Sequence, residues 1–247
     1  METSVLQIPF AHLALAFIPA LAVVGILCKW SLNCGNGLYA IFRMLVQLLL
    51  VGYFLVYIFE AKSALIVIAV LIVMLFASSW IALRTVDTQR RALFTKALCS
   101  IAIGGGATLL LITQGVLDLQ PWYWPRYVVP LAGMIFANAM NSVSLAAERL
   151  EAEIERGSPY EEARGIAFRA SLIPITNSLF AVGIVSLPGM MTGQILSGIS
   201  PLMAARYQIM VMCMIFSASG ISSACFLIFV RSHIGTLARD GETSGSR

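Results

Sequence analysis

The chain has 247 residues, of which 59% are hydrophobic and 11% charged, against about 25% charged in an ordinary soluble domain. With a mean hydropathy of +0.88 and uncharged apolar runs long enough to cross ~30 Å of hydrocarbon at about 20 residues per span, it is excluded from the class of soluble monomers. Its net charge of +4 does not point to nucleic acid, because in such a chain the placement of charge matters more than its sum.

The apolar runs are continuous and do not alternate, so the backbone satisfies its own hydrogen bonds as helices and not as barrel strands. The expected class is all-α, a polytopic protein of the cell membrane. Seven stretches qualify in chain order: 8–28, 38–59, 64–83, 97–117, 127–147, 170–191 and 209–230, with Arg43 the one charge inside them. The first is expected to remain as a helix, since Glu2 stands where a signal peptide carries a basic cluster and no cleavage pattern follows. An outer N-terminus places twelve of the sixteen basic residues on inner connections, on the cytoplasmic tail 231–247 and chiefly between 84 and 96 and between 149 and 169. Only Lys62, Arg126 and Arg206 then face outward, which is a positive-inside bias. Trp122, Tyr123, Trp124 and Tyr127 fall at the outer interface, where amphipathic rings settle.

The region 170–191 is the least regular. Pro174 can kink its start, and Ser186, Leu187, Pro188 and Gly189 are expected to break it before an apolar stretch too short to cross alone. A broken or re-entrant element at membrane depth is tolerated only inside protein or beside water, which hints at a pathway, although a helix end with an outer loop fits as well.

The connection 148–169 holds six of the twelve acidic residues. Leu150 and Ile154 are four apart among charges, so the fifth helix is expected to continue into water and stop at Gly157. Ser158 as N-cap, Pro159 in the first helical position and Glu161 in a capping box predict a second helix starting there. By residue chemistry this segment is either a solvated loop or a short docking element for a soluble partner.

No Asp or Glu lies in a span, which argues against coupling to a proton or sodium gradient. Arg43 and Gln47 share a helical face, and with Asn138, Asn141, Asn177, Ser178, Gln194, Gln208, Met190 and Met191 they are candidate pathway residues. The alternatives are snorkelling for Arg43 and interhelical hydrogen bonding for the amides and the hydroxyl. Eight of the eleven methionines come late, from Met134 to Met214; thioethers suit soft metals but also fill packing gaps, and no metal site is assigned. The five cysteines include no C-x-x-C pair, so they are read as small apolar residues without a zinc site or disulfide framework. Gly104 to Gly106, the Gly189 and Gly193 spacing, and Ser217, Gly220 and Ala224 predict close helix packing. Enzyme chemistry fails on inventory: His12 and His233 lie at opposite ends of the chain, and no carboxylate in the bilayer orients either.

Four segments carry a resemblance: Arg43-Met44-Leu45-Val46-Gln47-Leu48 leading to Val51-Gly52-Tyr53; Pro130-Leu131-Ala132-Gly133-Met134-Ile135 with Asn138-Ala139-Met140; the run Val185 to Gly193; and Arg206 to Val211. From about the second span to the last, the chain resembles the bacterial Fet-type iron-export permeases and their plant relatives linked to aluminium tolerance, which are membrane subunits of ABC transporters. The resemblance implies that residues 1–247 form one transmembrane permease domain, working as two copies with two copies of a separate ATP-binding subunit. It also implies that Gly157, Ser158, Pro159, Tyr160, Glu161, Glu162 and Ala163 receive the ATPase, with ATP and Mg2+ held by the partner and no cofactor by this chain. No Walker A sequence is present, consistent with a transport subunit that is not itself an enzyme. Asn177 and Phe180 stand where the family usually has Asp and Lys, and Ala137 where it has Gly, which weakens the fit to a hard cation such as iron. A secondary carrier, and a membrane scaffold or receptor using the acidic loop as its partner site, are the competing readings.

Overall fold

The computed structural model describes residues 8–60, 63–86 and 90–244, the side chains of Phe10 and of 233–244 excepted. Glu2, Lys62 and Arg247 lie outside the described residues, as do the side chains of His233 and Arg239. The described residues form helices and no strand, one isolated bridge between Val182 and Ser186 aside. The chain divides between Ala61 and Lys62 into two compact units.

The first unit holds α1 (Phe10–Leu15), α2 (Phe17–Lys29) and α3 (Cys34–Glu60). Between α2 and α3 the chain reverses through Ser31 at φ 58°, with the Leu32 amide donating to the Leu27 carbonyl at 2.9 Å. Asn33 caps α3, its Oδ1 accepting the Asn36 N–H at 3.3 Å. This reversal brings Cys28 and Cys34 together as a disulfide with Cα atoms 5.1 Å apart, within the usual range. The reading of all five cysteines as apolar filler is thereby corrected for these two, since a tight turn after a helix pairs residues that no short motif flags. No residue of α2 or α3 is buried, and Leu49 is 77% exposed. In water each such side chain would forgo about 25 cal/mol per Å² of apolar surface, whereas lipid accepts it.

The second unit holds α4 (Ala64–Ala82), α5 (Arg90–Leu110) continuing into a π-helical segment (Leu111–Val116), α6 (Pro125–Glu155), α7 (Tyr160–Ala181), α8 (Gly189–Leu196) and α9 (Pro201–Ser244). Its core lies where α5, α6 and α9 meet, with Ile101, Ile135, Met214, Phe226 and Leu227 buried. Small residues permit the contact: a Cβ on Gly104 would stand 2.6 Å from the Ser222 amide, and one on Gly105 would stand 3.0 Å from the Phe136 ring. Gly106, Gly189 and Gly193 have nothing within 4 Å of such a Cβ. Close approach therefore uses Gly104 against Ser222 of α9 and Gly105 against Ile135 and Phe136 of α6, and not the expected Ser217 and Ala224. Successive helical residues point about 100° apart, so three adjacent glycines cannot all face one neighbour. On α7 the buried residues Ala163, Ala167, Ser171 and Ile175 recur every fourth position as one stripe.

Six helices among the described residues are long and apolar enough to cross a membrane, and the chain is a multi-pass membrane protein. The remaining apolar stretch, 170–191, is the one expected to break, and it does. α7 runs through Pro174 and ends at Ala181; Val182 turns extended and Gly183 takes φ +84°. After Pro188 the short α8 begins, and it closes with Gly198 at φ +89°, whose amide bonds Ile195 while that of Ile199 bonds Gln194. That pair of bonds is a Schellman stop. α9 starts at Pro201, before the predicted 209, because Ser200 Oγ accepts the Met203 N–H at 3.4 Å. Arg206 consequently sits on the helix and not in a loop.

Candidate functional site

Two groups of the sequence-selected residues are brought together, both in the second unit. The first is the elbow between α6 and α7. α6 extends past its apolar part to Glu155 and stops as expected at Gly157, which has φ +84°. Gly157 N–H bonds the Ile154 carbonyl at 2.9 Å and Ser158 N–H the Glu153 carbonyl at 3.1 Å, again a Schellman closure. The expected capping box does not form. α7 begins at Tyr160, after Pro159, with no side-chain cap, and Ser158 Oγ instead donates to Glu153 Oε2 at 3.4 Å. Pro159 has φ −57° and its carbonyl accepts from Ala163 at 2.9 Å, so the proline itself sets the first turn and Ser158 lies one residue too early to cap it.

Glu153 holds the elbow. Its side chain is 7% exposed, and Oε1 lies 2.7 Å from Arg149 Nη2 and 2.8 Å from Arg156 Nη1. Sequence reading missed this residue, although Arg149, Glu153 and Arg156 follow the i, i+4, i+7 spacing of one helical face. Replacement of Glu153 by alanine is expected to lower stability by about 1–3 kcal/mol, the scale for losing a buried group's charged hydrogen bonds while its half-exposed arginines return to water. Thermal unfolding in detergent measures this, and an unchanged midpoint would refute the assigned role.

α7 is tied to α9 next to the elbow. The Tyr160 hydroxyl donates to the Leu227 carbonyl, and Glu161 bridges Arg164 Nη2 at 2.6 Å on its own helix and Arg231 Nη2 at 3.2 Å on α9. Burial pushes the Tyr160 phenol above its ordinary value; Arg164 and Arg231 oppose the shift and Glu161 adds to it. A raised phenol pKa means that the folded state keeps the proton longer. The bond therefore contributes fully below about 10 and is lost only as pH rises through the raised value. Glu162 is exposed and Ala163 buried.

The second group surrounds the break after α7. Two adjoining cavities of about 370 and 340 Å³ share Val182, Gln208 and Met212. One takes in Met191 and Cys213, the other Met134, Ser178 and Met190. Gln208 is 6% exposed, and its Oε1 is buried without a hydrogen-bond partner, as is Gln194 Oε1 on α8. Ser178 Oγ returns to the Pro174 carbonyl at 3.0 Å and Asn138 Nδ2 to the Met134 carbonyl at 2.8 Å, so both polar groups are satisfied within their own helices. Asn141 and Asn177 are exposed; Asn177 lines a separate groove with Arg169 and Thr176. Arg43 and Gln47 are exposed on α3 in the first unit. Among the described residues no group of three or more His, Cys, Asp and Glu is arranged to hold a metal ion.

The chain is similar to known proteins along most of its length. Residues 10–234 match the family described as "Uncharacterised protein family (UPF0014)". The UPF0014 membrane protein slr1647 of Synechocystis is 34% identical over 241 residues, covering 90% of this chain and 92% of that protein. The probable iron export permease protein FetB of Escherichia coli is 34% identical over 210 residues, 78% of this chain and 79% of its own length. Protein ALUMINUM SENSITIVE 3 of Arabidopsis thaliana is 30% identical over 227 residues, covering 83% and 82%. No solved structure matches.

Proposed function

This chain belongs to the UPF0014 family of membrane proteins, and from that premise we propose that it is the permease subunit of an ATP-driven ABC transporter. It exports a metal cation or related small solute and takes its work from a separate ATP-binding subunit docked at Gly157 to Ala163. Two copies of the chain enclose the route. The name of the FetB relative, an iron export permease, supports the cargo class.

One observation carries the coupling. The elbow and the cavities around Gln208 occupy opposite ends of the same helix pair. α7 reaches from Tyr160 at the elbow to Ser178 and Leu179 at the cavities, and α9 carries both Gln208 and Leu227, to whose carbonyl Tyr160 is bonded. At 1.5 Å per residue that stretch of α9 spans roughly 28 Å, most of a bilayer core. A stroke received at the elbow thus reaches the cavities along two rigid elements fastened together at their driven ends. The chain carries no ATP-binding sequence, so the reading requires a partner. Purification of the tagged protein from its native membrane in mild detergent is expected to recover an ATP-binding subunit in equal amount. Repeated recovery of the intact chain alone would overturn the reading in favour of a carrier or scaffold.

A further inference from the structure

The cavities around Gln208 have an uncommon donor set. Five sulfur-bearing side chains line them, Met134, Met190, Met191, Met212 and Cys213, together with the Gln208 amide. They come from three elements that are far apart in sequence: Met134 from α6, Met190 and Met191 from α8, Met212 and Cys213 from α9. The break after Ala181 is what lets α8 fold back onto α9 and bring its two methionines to the others. No Asp, Glu or His lines either cavity.

We propose that Met134, Met190 and Met212, with Gln208, which all line one of the two cavities, form a binding site for a soft monovalent cation of the Cu(I) or Ag(I) kind. Thioethers are neutral, polarisable donors that select soft d10 ions, whereas iron(II) or manganese(II) needs carboxylate or imidazole, and neither is present here. The cost of moving an ion out of water rises with the square of its charge, so a site built of uncharged donors within a bilayer accepts a single positive charge far more readily than two. Packing alone accounts poorly for Gln208. An amide oxygen that is buried and unpartnered costs about 1–3 kcal/mol, and a cation beside it removes that cost. Methionine used only as filler would need no polar group at the centre.

The inference rests on the permease reading for its meaning as cargo, but the site can be tested without transport. The full chain in detergent, with Cys99 and Cys225 changed to serine in every sample, is titrated with Cu(I) kept reduced by ascorbate and buffered by a chromophoric chelator. Stoichiometric uptake that excess Fe(II) or Mn(II) does not displace is expected, and the Met134→Leu, Met190→Leu, Met212→Leu triple variant is expected to remove it. Gln208→Leu is expected to weaken binding about tenfold, the scale for losing a group that orients a ligand. Leucine conserves methionine's volume, and X-ray absorption of the copper-loaded unsubstituted protein gives a readout that needs no variant. A sulfur-rich shell supports the site; absence of Cu(I) uptake, or a shell of nitrogen and oxygen only, overturns it. An ATP-binding subunit that co-purifies with a chain unable to hold Cu(I) would leave the permease reading standing and this one refuted. Cu(I) held by a chain that recovers no such subunit would do the reverse.

Discussion

The Glu161→Ala, Glu162→Ala double variant is expected to reach the membrane in normal amount and to lose cargo export, with flux falling about tenfold or more, equivalent to at least ~1.4 kcal/mol of lost coupling. The two carboxylates contribute little to folding. Glu161 is about half exposed, as are its partners Arg164 and Arg231, and such pairs are worth about 0–1 kcal/mol. Both acids lie in the first turn of α7, where the helix dipole adds about 0.3–1 kcal/mol each. The buried stripe from Ala163 to Ile175 and the Tyr160 bond to Leu227 are untouched. What the variant loses, on the coupling proposed above, is the charged face for an ATP-binding subunit, together with the Arg231 link between α7 and α9. ATP-dependent flux in inside-out vesicles, alongside quantitation of the protein in the membrane, measures this. Full transport by the double variant would exclude the elbow as the coupling element.

The architecture was legible where one signal dominates. Uncharged apolar runs give the spans because lipid sets both their length and their composition, and Gly157 marks the end of α6 because only glycine adopts its left-handed backbone without penalty. The break in 170–191 was legible in kind but not in place: expected at Ser186 to Gly189, it comes at Val182 and Gly183, where α7 ends. Features that depend on how the chain turns back on itself were not legible. Glu153 is buried where its carboxylate meets Arg149, Arg156 and Ser158, and only the spacing of the two arginines about it sets it apart from Glu151 and Glu155. Cys28 and Cys34 pair through the turn at Ser31, which no spacing rule anticipates. The Ser158 cap failed because Pro159 takes the cap position, which leaves the Ser158 hydroxyl one residue early and donating to Glu153. Of the candidate pathway residues, Ser178, Met190, Met191 and Gln208 converge on the cavities, whereas Asn138 serves its own helix. Composition identifies polar groups at membrane depth, but their convergence is decided by the fold of α8 onto α9.

The largest stability effect is expected at Gly104. A Cβ there would sit 2.6 Å from the Ser222 amide nitrogen and 3.0 Å from its Cα, atoms of the α9 backbone that no rotamer change can move. Gly104→Val therefore forces α5 and α9 apart, opening space around Ile101 and Phe226, which are both fully buried. Overpacking of this kind costs about 1–3 kcal/mol and more when backbone must shift. Gly106→Ala is the control of opposite sign, since a Cβ at that position meets nothing within 4 Å and alanine favours a helix by about 1 kcal/mol over glycine. Unfolding temperatures in detergent are expected to fall for Gly104→Val and to hold or rise for Gly106→Ala; coincident values would show that α5 and α9 do not pack at this register. The consequence extends to transport because Ser222 lies little more than one helical turn from Leu227, whose carbonyl accepts the Tyr160 hydroxyl. A shift of α9 at Ser222 displaces the fastening between the elbow and the helix that leads to Gln208. Gly104→Val protein that survives in the membrane is therefore expected to bind its partner and transport poorly, losing the transmission between two sites it does not touch.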